Sequence, residues 1–111
     1  MKSVDLVWQN LFEKEQPSDK MIRVYRFHAA RALTEERWSV AEIFLDRILE
    51  VEPERTEAWL MKGLLRQHCR EDDEAAAGCF HHVLRICDRN PDHPHALRAR
   101  NSLGQLQYSL S

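Results

Sequence analysis

Glycine is scarce in this chain, at three residues in 111, and proline supplies only four more breaks. Scarcity of both, with Ala, Leu, Glu and Arg abundant, favours helix over sheet. No stretch shows the two-residue alternation of a half-buried strand. Long apolar runs are missing too: nothing approaches the roughly 20 apolar residues that a membrane helix requires. The opening MKSVDLVWQNLFEKEQ interrupts its apolar part with Asp5, Gln9 and Asn10, so it does not read as a signal peptide. Charge of one sign is not in excess either, and a formal net charge of -2 gives no general pull towards nucleic acid or an acidic membrane. Cysteine is limited to Cys69, Cys79 and Cys87, an odd number scattered among helical residues. That pattern points to free thiols in a reducing compartment rather than a disulfide framework. The expected location is the cytoplasm.

What is present is an ordinary globular mixture, 43% hydrophobic and 31% charged, in a chain long enough for one domain with a modest core. Six amphipathic segments follow one another with short breaks between them. Residues 3–15 carry Val4, Val7, Trp8, Leu11 and Phe12 at helical spacing; Gln16-Pro17-Ser18-Asp19 ends this run and offers Ser18 as an N-cap. Residues 19–34 follow, with Ile22, Tyr25, Ala29, Ala32 and Leu33 as the stripe. Residues 36–50 present Trp38, Ala41, Leu45, Ile48 and Leu49 before Pro53 stops them. Residues 56–69 present Ala58, Trp59, Leu60, Gly63 and Leu64. After a polar turn, Asp72 or Asp73 caps a fifth segment that runs to about Asp88 through Ala76, Cys79, Phe80, Val83, Leu84 and Cys87. Asn90-Pro91-Asp92-His93-Pro94 is a clear break, with Asp92 expected as N-cap and Pro94 in the first turn of a sixth segment, residues 94–108.

The segments repeat. A shift of 34 residues lays Tyr25 on Trp59 and Ala29 on Gly63. A shift of 35 matches Ala41 to Ala76, Leu45 to Phe80, Ile48 to Val83 and Leu49 to Leu84, and a shift of 38 brings Pro53 onto Pro91 and Ala58 onto Ala96. This resembles the tetratricopeptide repeat (TPR), whose pattern is a large residue, a small one four later, then Ala, an aromatic and a Pro; the first unit has Leu45 and the second Phe80 at the aromatic position. The resemblance covers about residues 20–108. It implies an all-α fold of about six helices, antiparallel pairs stacked as a short right-handed superhelix, or α-solenoid. The units would be a capping helix over 1–17, repeats over 22–55 and 56–93, and a C-terminal half-repeat over 94–111. Ala32 departs from the family, which often has Tyr there, and Asn101 stands where a small residue is preferred.

The same resemblance implies a non-catalytic module that holds a protein or peptide segment in a concave groove lined by the first helix of each pair. Carried over residue by residue, the groove positions are Arg23, Arg26, Ala30 and Leu33; Glu57, Leu60, Met61, Leu64 and His68; and His95, Arg98, Ser102 and Gln105. The apolar centre would suit a helix or extended segment, and Arg26 or Arg98 a carboxylate. Ala30 and Met61 stand where two asparagines of the chaperone-tail carboxylate clamp would lie, so that ligand class is not implied. Self-association into a homo-oligomer, through Trp8 or a truncated repeat end, is the alternative.

Other chemistries have thinner support. Cys79 and His82 are three residues apart on one helical face, yet no CxxC or HExxH spacing completes a zinc site, and metal binding is a lesser alternative. No Gly-rich phosphate loop or GxSxG turn is present, and adjacent His68 and Cys69 point apart on a helix, so no enzyme and no cofactor are expected. Arg85, Arg89, Arg98 and Arg100 alternate with acidic and His residues, as on a solvated face, so neither nucleic acid nor membrane is an expected partner.

Overall fold

Residues 17–110 are described by a computed structural model, with side chains from 19 to 106. Five helices occupy them: α1 (Pro17–Thr34), α2 (Trp38–Val51), α3 (Thr56–His68), α4 (Asp73–Ile86) and α5 (Pro94–Leu110), with no strand among the described residues. The segment 3–15 and the capping role expected for residues 1–17 fall outside them, apart from Pro17 itself.

Local chemistry explains three of the five helix starts. α1 opens on Pro17, whose fixed φ suits a first helical turn, so Ser18 lies inside the helix instead of capping it. Asp72 caps α4 by accepting a hydrogen bond from the Ala75 amide at 3.2 Å. Ahead of α5 the cap is His93 and not Asp92: its Nδ1 accepts from the His95 amide at 3.0 Å, because the helix starts only at Pro94. Two turns put a glutamate in the left-handed region, Glu36 with φ 58° after α1 and Glu71 with φ 53° after α3. These glutamates are 35 residues apart, the offset at which Ala41 and Ala76 recur. Each costs about 1–2 kcal/mol in backbone strain relative to a right-handed conformation, so packing of the flanking helices has to hold both turns.

A three-residue connection between α1 and α2 permits only an antiparallel return. The packing follows that rule: Ala32 meets Ala41 close to the turn, while Ile22 meets Ile48 and Leu49 at the far end. α3 and α4 pair in the same way around Phe80, Val83 and Leu60, and α5 closes this second cluster with Ala96, Ala99 and Leu106. Ala41, Ala76, Phe80 and Val83 are all 0% exposed. A close approach occurs at Gly63, where an added Cβ would stand 2.6 Å from Cε1 of Phe80. The small residue of α3 and the aromatic of α4 are therefore one fitted pair.

From Leu60 onwards the burial pattern of α3 recurs in α5 at an offset of 39 residues, not 38. Leu60 corresponds to Ala99 and Gly63 to Ser102, all four buried, and half-buried Leu64 corresponds to Leu103. Asn101 consequently faces solvent, and the small-residue position is filled by Ser102.

A polar seam joins the two helix pairs. Along α2 and α3, Arg66 Nε donates to Glu42 Oε1 at 2.6 Å, Lys62 Nζ to Asp46 Oδ1 at 2.7 Å and Arg70 to the Ser39 hydroxyl at 3.0 Å. These contacts tie α2 to α3, whereas among the described residues no Cα of α1 comes within 8 Å of one in α3. A gap is left between the first helices of the two pairs.

Candidate functional site

That gap is a cleft of about 640 Å³ with α1 and α3 as its walls and α2 as its floor. Arg23, Arg26, Phe27, Ala29, Ala30 and Leu33 come from α1, Leu45 and Ile48 from α2, and Glu57 and Met61 from α3. The floor is rigid, because Leu45 and Ile48 belong to the first core cluster, 4% and 1% exposed. Leu33 and Met61 are half-buried on the walls, and Phe27 stands 61% exposed at the mouth.

An ion pair crosses the opening. Arg26 Nε lies 2.8 Å from Glu57 Oε1, with both side chains well exposed. Pairs of this kind contribute roughly 0–1 kcal/mol, so a ligand carboxylate can take the place of Glu57 at small cost. Apolar walls over a packed floor, with one exchangeable charge pair at the rim, suit an apolar segment carrying an acidic group.

Of the residues singled out from sequence, the structure brings Arg23, Arg26, Ala30, Leu33, Glu57 and Met61 together in the cleft. Leu60 is placed elsewhere, 8% exposed in the core against Phe80 and Ala99, since on α3 it lies 100° around from Met61. Leu64 is half-buried against the same core. Ser102 is 5% exposed in α5, following the one-residue offset of that helix. His68 and Arg98 are exposed away from the cleft. Gln105 accepts from Gln67 at 3.3 Å, and His95 Nδ1 lies 2.8 Å from the Thr56 hydroxyl, so both join α5 to α3. Phe27 and Ala29, absent from the groove positions carried over, are added on the α1 wall; the apolar character of Phe27 beside Arg23 and Arg26 was the available signal.

Two of the three tryptophans take part in packing. Trp59 is half-buried between the two main clusters, donates its indole N–H to the Pro53 carbonyl at 2.7 Å and stacks on His82 at 4.1 Å. Trp38 is half-buried at the start of α2, and Trp8 lies outside the described residues. Among the described residues no three His, Cys, Asp or Glu side chains converge as metal ligands. No helix among them is long and apolar enough to cross a membrane.

Cys79, 5% exposed in α4, has its thiol pushed up in pKa by burial. The unfolded chain releases this proton near pH 8.5, whereas the folded chain retains it to higher pH. The unfolded state therefore binds fewer protons above that value, and stability falls as pH rises through it. The urea midpoint of the wild type is expected to drop between pH 7.5 and 9.5 by more than that of Cys79→Ala. Equal drops would show that Cys79 titrates alike in both states.

No family model matches this chain, and comparison with the curated proteins and with the solved structures gave no match.

Proposed function

We propose that this chain is a non-catalytic protein-interaction module of the tetratricopeptide type. In this reading it works as an adaptor or chaperone-like protein, its helix pairs stack as a short α-solenoid, and a partner segment lies in the cleft between α1 and α3. The observation that carries this reading is the cleft itself: an apolar pocket of about 640 Å³ between the first helices of two successive pairs, where this repeat type holds its ligands. Apolar contacts with Met61, Leu33 and Phe27 supply affinity, and Arg26 exchanges Glu57 for a carboxylate of the partner to set orientation.

The test is capture in the native source. The protein is cross-linked in place, purified, and its companions identified by mass spectrometry. Met61→Asp puts a charge on a half-buried residue of the cleft wall, and this variant is expected to stay folded by circular dichroism and to lose the companion at least tenfold. Leu60→Asp is no substitute, because a charge on that core residue reports on folding. Retention of the same companion by folded Met61→Asp, or recovery of this chain alone, would overturn the proposal.

A further inference from the structure

The outer face of α1 is apolar and uncovered by any other described helix. Met21, Val24 and Phe27 recur every three residues and are 46%, 48% and 61% exposed. Shallow concavities of about 360 and 310 Å³ flank Val24, the first bordered by Lys20, Met21 and Tyr25, the second by Lys20, Arg23 and Phe27. A ridge with a hollow on each side is the shape that receives the side-chain rows of a second helix. Three large apolar side chains on one stripe of a small domain call for a partner.

We propose that this face is the docking site for the chain's own N-terminal segment, residues 3–15, folded back antiparallel to α1. Chain length permits it: the apolar stripe of the segment ends at Phe12 and α1 begins at Pro17, leaving residues 13–16 for the return. Connections of 2–5 residues are those that join antiparallel helices. The spacing matches as well. A return centred on Gln16 sets Leu11 opposite Met21, Trp8 opposite Val24, and Val4 beside Phe27, so both stripes meet along their length. Charge agrees, since Lys20 and Arg23 border the face while the segment carries Asp5, Glu13 and Glu15 against Lys14.

Paired cysteines test the placement in the full chain. Cys69→Ser removes the half-exposed native thiol, while Cys79 and Cys87 stay buried. In that background Trp8→Cys with Val24→Cys, and Leu11→Cys with Met21→Cys, are oxidised in a glutathione buffer beside a control pair, Trp8→Cys with Ile43→Cys. Expected is a disulfide within one chain, seen as a monomer on a non-reducing gel, forming at least tenfold faster than in the control. Wild-type protein carrying photo-methionine supplies a second readout that needs no core change: the probe at Met21 is expected to cross-link within its own chain to the peptide holding residues 4–12. Rates equal to the control, with no such cross-link, would overturn the proposal. Bonds formed only between chains would overturn it too, and would assign the face to a second copy.

Discussion

Phe80→Ala is expected to lower the folding free energy by about 3–5 kcal/mol, measured as a shift in the urea unfolding curve at constant slope. Phe80 is 0% exposed and lies where α3, α4 and α5 meet. Gly63 lies directly against its ring, and a glycine has no side chain to reach inwards and refill the void. Leu60 and Val83 share the cluster, but the helix backbones that carry them are held by their own ladders. The loss therefore falls among the larger cavity values, a large share of the roughly 5–15 kcal/mol that a domain of this size commands. Phe80→Leu keeps most of the volume and is expected to lose clearly less. A loss below about 1 kcal/mol for the alanine variant would contradict the fitted pairing of Phe80 with Gly63.

The second large effect concerns charge. Glu42 is 7% exposed on α2, and its carboxylate is held by Arg66, which also reaches Asp72 at 3.4 Å. The hydrogen bond to Glu42 raises the Arg66 pKa above its ordinary value, so the guanidinium stays charged at any accessible pH. Removing Arg66 strands a carboxylate with little access to water. Breaking a buried pair on one side costs about 3–5 kcal/mol, and the partial exposure of Arg66 sets the expectation for Arg66→Ala near the lower end, about 3 kcal/mol. Replacing both partners by leucine removes the stranded charge along with the pair. The double variant Glu42→Leu/Arg66→Leu is expected to regain most of that loss, because the seam then becomes apolar contact. Additive single losses, with no recovery in the double variant, would show that the two side chains do not act as a pair.

These two sites differ in how far the sequence discloses them. Gly63 and Phe80 are legible because a close helix crossing needs a small residue on one side and a filler on the other, at positions fixed by helical period. Ala41, Ala76, Ile48 and Val83 were legible for the same reason, and all are essentially buried. Glu42 and Arg66 lie 24 residues apart with nothing local to link them. Their pairing depends on how α2 is set against α3, which no periodicity within a single helix encodes. Glu36 and Glu71 were equally silent, since glutamate carries no preference for the left-handed turn it occupies; the packing of the pairs imposes it.

The cleft was partly legible. Arg23, Arg26, Ala30 and Leu33 share one face of α1 at helical spacing, and the structure places all four along the same wall. On α3, Leu60 and Met61 are adjacent apolar residues, and burial alone separates them: α5 covers Leu60, and the gap in front of α1 leaves Met61 open. The choice between them rests on the position of α5, which begins 34 residues after Leu60, beyond the reach of local pattern. In α5 the offset grows from 38 at Ala96 to 39 at Ala99, and this slip within the helix carried Ser102 into the core and left Asn101 and Arg98 outside.

The most direct test of the cleft as a binding site is site-specific photo-cross-linking, with a benzophenone amino acid placed at Ala30 or at Ile43. Ala30 is exposed on the cleft wall, whereas Ile43, 54% exposed, lies on the side of α2 turned away from Leu45 and Ile48. The account predicts that irradiation joins the partner to the Ala30 probe and leaves the Ile43 probe unreacted with it. Cross-linking from Ile43 with none from Ala30 would contradict the account and place the binding surface on the opposite face.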